Sequence, residues 1–347
     1  GRSDSVQLHR HPFPRALSLR CSSPPPAASA CACACTSYAG ARLRFRTVSA
    51  SRESGDMPAL TPRRLRIFNI IAAVIQLACG IALGPITDRA ASAPWYTDFI
   101  NAPEKNVSFL DFIPVSKMVA SVPLGYYSCV FLLLSGVNHA LCAMPGINGW
   151  YNKQIALNSN PIRWLEYAFS ASVMHVMILQ LSGATQVHLL YAVFGLTMTT
   201  MTHGWLMERS NMRALPTYVL EGPSDVPQPE ESDTLGSGGG KTSTGRPPVD
   251  WTPFLLGFIP HIYVWTIIAC YFFRAIANRS PPAFVYVIFF IELFIDLSFA
   301  VNMMLQYVQV PGWRGYGATE FWYIVLSLTA KQLLAWINYG GTKALAP

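Results

Sequence analysis

The sequence predicts an all-α membrane protein built as a bundle of seven transmembrane helices. Three observations carry this. Hydrophobic residues make up 52% of the 347 positions and charged residues only 12%, about half the charged share of an ordinary soluble domain. Mean hydropathy is +0.31 even though two long segments are polar, so the apolar residues are concentrated elsewhere. They fall in seven runs, residues 67–84, 118–143, 159–183, 187–207, 252–276, 283–308 and 318–340, each near the length that spans a bilayer.

Residues 1–56 hold eight arginines, three acidic residues and much Ser, Ala and Pro. That is transit-peptide composition. Met57 opens MPALTPRRLRIFN, which reads as a natural start before the first span. Residues 1–56 are therefore read as a transit-like or non-native disordered segment, and 57–347 as one seven-helix domain. Residues 85–117 form a long loop with four prolines, whose KNVSFLDFIPV portion suits short strands. Residues 208–250 are rich in Pro, Gly and Ser and read as a disordered linker between helices four and five. Gly240, Lys241 and Thr242 look like part of a phosphate loop, but the first required glycine would fall at Leu235 and no strand precedes it.

Eight cysteines make no framework. Cys21, Cys31, Cys33 and Cys35 lie in the N-terminal segment, where CACAC has no histidine or second cysteine pair nearby to make a metal site. Cys79, Cys129, Cys142 and Cys270 lie in or at apolar runs, where a thiol acts as a small hydrophobe, and no disulfide is expected. The net charge of +7 does not point to nucleic acid, because the basic residues sit in the N-terminal segment and short loops. There they read as topology determinants. With the N-terminus cytoplasmic, the inner side carries Arg63, Arg64, Arg66, Lys153, Arg163, Arg209, Arg213, Lys241, Arg246 and Arg314, ten against six outside. The C-terminus then lies on the extracellular or lumenal side, as does the sequon at Asn106.

The informative residues are polar ones inside apolar runs. SLTAKQLLAW places Lys331 in the middle of the last run. A charged ammonium near a bilayer centre is costly, so this lysine snorkels, pairs with a carboxylate, or is not a free amine. Glu320, Ser327 and Lys331 share one helical face, and Ser327 lies one turn before Lys331. In NPIRWLEYAFSASVM, Arg163 and Glu166 lie one turn apart, and Ser170, Met174 and Met177 extend the Glu166 stripe. The bland reading of Glu166 is a structural pair with Arg163, and that of His139, beside Asn138 in the second run, is a satisfied interfacial histidine. Glu166, His139 and Lys331 reach similar depth if the second, third and seventh helices are neighbours. A deprotonated lysine is a nucleophile toward an aldehyde, and the protonated product needs a buried counterion, which Glu166 can supply.

On these residues the chain resembles the heliorhodopsins, a divergent family of microbial-type rhodopsins. RWLEYAFSAS, NMMLQY and SLTAKQLLAW carry the resemblance most specifically, with RLRIFN and GWLMER in agreement, over about Arg63 to Gly340. The resemblance implies all-trans retinal on Lys331 as a protonated Schiff base, Glu166 as counterion, Ser327 as a hydrogen-bond partner, and His139 in a polar cluster affecting proton movement. It also implies Arg163 and Glu320 in a cytoplasmic polar network, a homodimer with strands in the first outer loop, and a light receptor that acts on an unknown cytoplasmic partner and is not an enzyme. The expected location is the plasma membrane or an organellar membrane, a plastid if residues 1–56 are a transit peptide. Expected pocket residues are Tyr167, Ser170, Met174, Thr197, Met201, Gly204, Trp265 and Phe299. Two departures stand out. Gln76 occupies the place of the family's first-helix histidine, and Glu292 and Asp296 put two carboxyls at i,i+4 in the sixth helix. The latter read either as a protonated pair, with Glu292 also able to reach Arg274 or Arg279, or as a proton path. That path is the basis of an alternative function, light-driven or light-gated ion transport.

Overall fold

The computed structural model describes residues 61–101, 113–215 and 245–345. The chain order is α1 (Pro62–Ile86), β1 (Ser92–Asn101), β2 (Ile113–Pro123), α2 (Leu124–Ala143), α3 (Ile147–Ala156), α4 (Pro161–Leu181), α5 (Val187–Ser210), α6 (Thr252–Arg279), α7 (Ala283–Tyr307) and α8 (Tyr316–Ala344). Among the described residues seven helices have 20 residues or more, and α3 has 10. The transit-like segment, most of the 208–250 linker, the sequon and the Gly240–Thr242 tripeptide lie outside the described residues.

Local chemistry sets the ends. Thr61 caps α1 by accepting from Arg64 N at 3.3 Å, and Pro62 opens the helix. Asn160 caps α4 by accepting from Arg163 N at 3.2 Å, with Pro161 following. Both follow the rule that a short polar side chain satisfies an orphan N–H and proline fits the first turn. Where α5 meets the linker, Asn211 Nδ2 donates to Asp250 O at 2.9 Å and Asp250 N donates to Asn211 Oδ1 at 2.7 Å. That reciprocal pair fixes the linker's two ends beside each other. The linker also starts later than expected, because α5 runs through Ser210.

Four helices are long and apolar enough to cross a membrane: α1, α2, residues Thr252–Asn278 of α6, and α7. The chain is a multi-pass integral membrane protein. The helices α4, α5 and α8 are as long but hold polar residues that face inward. Arg163, Glu166 and His175 of α4, Glu208 of α5, and Glu320 and Lys331 of α8 are all buried.

The extended segment differs from expectation. Of the KNVSFLDFIPV stretch only Ile113–Val115 are described, and they open β2 as expected, but β2 also takes residues 118–123 from the expected second helix. Val115, Val119 and Val122 favour extended backbone, and Pro123 ends the strand just before Leu124 opens α2. The hairpin is antiparallel, Ser92 opposite Pro123 and Asn101 opposite Ile113, with a bulge at Trp95/Tyr96. It is tied to the bundle by Tyr96 N donating to Thr185 O at 2.8 Å and Trp95 Nε1 donating to Tyr127 OH at 3.0 Å. The helix α3 was not anticipated. It buries Tyr151, Ile155 and Ala156 beneath an exposed Trp150.

Arg163, one of the ten basic residues of the inner side, is buried at 3% exposure in the first turn of α4.

Candidate functional site

Lys331 is buried in the middle of α8. Its Nζ donates to Ser327 Oγ at 2.9 Å and lies 3.3 Å from Glu166 Oε1. The Tyr167 ring sits beside it, 5.0 Å from Nζ to centroid. Neither oxygen of Glu166 accepts a hydrogen bond from the described residues. Its charge is thus directed at Lys331 without competing donors. Ser327 Oγ is 3.4 Å from Ser135 Oγ on α2, and one turn beyond Ser135 lies His139. His139 Nδ1 contacts Asn69 Oδ1 of α1 at 2.8 Å. The helix α2 packs against both α4 and α8, and the Glu166–Lys331 contact joins α4 to α8, as the convergence of these three residues required. Gln76 of α1 is fully buried, with neither amide atom bonded among the described residues.

The bland reading of Glu166 as a partner of Arg163 is overturned. Arg163 reaches the other way, between Glu208 and Glu320. Glu208 also accepts from Asn160 N at 2.9 Å and Tyr316 OH at 2.8 Å. Glu320 accepts from Asn160 Nδ2 at 2.7 Å and Tyr151 OH at 3.0 Å. The Arg163 guanidinium packs 3.9 Å over the Tyr323 ring. Five helices, α3, α4, α5, α8 and, through Asn69 Nδ2 to Tyr151 OH at 3.3 Å, α1, meet in this network. Sequence reasoning missed Glu208, hidden by its place in the apparent linker, and Tyr151, which lies in the unanticipated α3.

Beside Lys331 runs an apolar cavity, open at its mouth. Of the expected pocket residues, Tyr167, Met174, Met201, Trp265 and Phe299 line it. Three do not. Thr197 lies behind the wall, 3.0 Å from His175 Nδ1. Ser170 is fully buried. Gly204 borders an adjoining cavity with Phe254, Phe258, His261 and Met303. A Cβ on Gly204 would lie 2.2 Å from the Trp164 ring, so that ring's place in the wall depends on the glycine. Glu292 and Asp296 both face the cavity. They are not paired as expected: Asp296 binds Trp265 and lies near His175 and His261, while Glu292 Oε1 has no hydrogen-bond partner among the described residues. Glu292 is buried and Arg274 is exposed at the end of α6. Glu166 is therefore not the sole carboxyl near the lysine. The two histidines carried no signal in sequence, since each stands alone in its own helix.

The sequence model of the heliorhodopsin family matches residues 65–223 and 232–343. The chain belongs to the heliorhodopsin family. Heliorhodopsins are retinal-binding photoreceptors of the membrane and not enzymes, and that general role holds for this chain. Among solved structures it is similar to cyanorhodopsin from the cyanobacterium Tolypothrix sp. NIES-4075, at 11% identity and a TM-score of 0.49, covering 84% of this chain and 98% of that one. No curated protein sequence matches. The cavity fits the family's chromophore. A primary amine stands at its wall, aromatic and methionine side chains make its flanks, and a carboxylate without other donors stands at the amine. The four cysteines among the described residues are free.

Proposed function

We propose that this heliorhodopsin is a light receptor that holds all-trans retinal covalently on Lys331 and signals through a change in its seven-helix bundle, without net ion pumping. The single observation carrying the reading is a buried lysine with one hydroxyl at 2.9 Å and one carboxylate at 3.3 Å, at the wall of an apolar cavity. Retinal, when bound, supplies absorption of visible light and an isomerisation. The rest falls to the chain. Glu166 stabilises positive charge at the lysine nitrogen. Ser327 accepts the nitrogen's proton in a hydrogen bond and passes orientation to Ser135. Tyr167, Met174, Met201, Trp265 and Phe299 exclude water and hold a flat polyene. His139, with Nε2 free of hydrogen bonds among the described residues, is positioned to hold a displaced proton locally. The Arg163 network sits where a change at Glu166 reaches Glu208, Glu320 and α3, the side we assign to the cytoplasm on the basic-residue count. A homodimer and a cytoplasmic partner belong to the same reading.

The test is Lys331→Ala expressed with all-trans retinal. The expected result is no visible band and no pigment that hydroxylamine bleaches; a normal pigment from the variant sinks the assignment. Ion transport remains as a second reading, because Glu292 and Asp296 face the same cavity.

A further inference from the structure

Asp296 organises a second polar cluster in the cavity wall. Its Oδ2 accepts from Trp265 Nε1 at 2.8 Å and lies 3.3 Å from His175 Nε2 and 3.5 Å from His261 Nδ1. The partners come from α4 and α6, so one carboxyl oxygen gathers three helices. The histidine side chains are 6% and 13% exposed, and that of Asp296 is 17% exposed. Asp296 borders both cavities, so its exposed part faces them. His261 and Asp296 border the adjoining cavity and Lys331 does not, which sets the cluster toward the end of the pocket remote from the amine. Titratable groups held inside a membrane helix are costly and need a reason, and neither the Lys331–Glu166 pair nor the Arg163 network uses these.

The hydrogen bonds constrain the protons. Thr197 Oγ1 donates to Val193 O at 2.9 Å, so its 3.0 Å contact with His175 Nδ1 is made by the imidazole N–H. The next proton the pair can hold is one shared between His175 Nε2 and Asp296. Imidazolium beside carboxylate and neutral imidazole beside carboxylic acid both leave the pair without net charge. His261, on the same oxygen, is a further proton acceptor, and a proton taken there makes the cluster cationic. Other charged or titratable groups stand around it. Glu292 lies one turn away on α7. Lys331 of α8, paired with Glu166 of α4, borders the same cavity. His203 of α5 borders the adjoining one and holds Thr199 O at 2.8 Å through Nδ1.

We propose that His175, Asp296 and His261 form a proton-binding unit that sets the colour of the polyene in this cavity. The proposal rests on the retinal reading above. Absorption of light moves positive charge along a cationic polyene away from the nitrogen. A positive cluster at the remote end opposes that movement, and in a low-dielectric wall the opposition is strong. Protonation of the unit therefore shifts absorption to the blue.

The test has two arms on the full chain. The first uses retinal-free protein with ring-¹⁵N histidine and follows the imidazole nitrogens by NMR from about pH 5 to about pH 8, the interval where histidine titrates. The expected result is that His175 and His261 move together, and that Asp296→Asn uncouples them. Independent titration in the intact protein overturns the unit. The second arm records the spectrum of the pigment over the same interval. A blue shift on acidification, with the midpoint of the NMR arm and lost in His261→Gln, is the supporting outcome. A pigment whose colour ignores pH while the histidines titrate together overturns the colour role. If no pigment forms in the intact protein, the retinal reading has failed, and the NMR arm still decides the unit.

Discussion

At Lys331 the decisive feature is the asymmetry of its surroundings. One carboxylate faces Nζ at 3.3 Å with no hydrogen bonds of its own among the described residues, and the other polar contact is the neutral Ser327 hydroxyl at 2.9 Å. An opposite charge so close favours the cationic form of the nitrogen. In the pigment, Glu166→Gln should therefore let the visible band give way to a near-ultraviolet one at a lower pH than in the intact protein. Where the visible band survives it should lie to the red. A spectrum and titration unchanged by this substitution would show that Glu166 is not the counterion, and Glu292, buried in the same wall, becomes the next residue to test. Gly204 gives a packing prediction at the same scale. Its missing side chain is what admits the Trp164 ring, and overpacking of this kind costs about 1–3 kcal/mol. Gly204→Ala should lower the melting temperature and, by displacing Trp164, alter the pigment's colour; a variant matching the intact protein in both measurements contradicts the close approach.

Among the elements, the buried ion pairs decide how α4, α5 and α8 dock. Arg163 is enclosed with Glu208 and Glu320, all under 4% exposed. Their oxygens take further bonds from Asn160, Tyr151 and Tyr316. Replacing such a network with apolar groups is often neutral, but removing one member strands buried charge at about 3–5 kcal/mol. Arg163→Gln should thus destabilise the bundle by roughly that amount, seen as a fall in the thermal midpoint of detergent-solubilised protein. The double variant Arg163→Gln with Glu320→Gln should recover part of the loss, because one stranded charge is gone. No recovery means that the two side chains do not act as a pair. The sequence made Arg163 and Glu320 visible as polar residues on helical faces. It did not show which carboxylates Arg163 takes, because Glu166 is three residues away and Glu320 is 157.

For the whole molecule, a pump needs a proton acceptor, a donor and a switch of access between them. Groups able to serve as acceptors are present at Glu166 and His139. On the proposed reading, a proton that leaves the lysine nitrogen is held locally at His139, while Gln76 of α1 offers no titratable group. Illumination under voltage clamp should then give no sustained current, and the photocycle should be slow. A sustained photocurrent that Asp296→Asn abolishes would replace the sensory reading with transport through the carboxyls of α7.

What the sequence by itself determined is the set of properties that lie along one helix or within one composition: a membrane protein, its long helices, a lysine with a hydroxyl one turn before it, and the motifs that mark the family. Periodicity and burial cost act locally, so they are legible residue by residue. Tertiary structure decided what depends on distance in space. It paired Glu166 with Lys331 and withdrew Arg163 from it, put Glu208 and Tyr151 into one network, and moved residues 118–123 from a helix into a strand pairing with Ala93–Tyr96 and their neighbours. It also gathered His175 and His261 around Asp296. Each of these joins residues from separate elements, and no spacing within a single helix encodes which of its polar side chains meets a neighbour's.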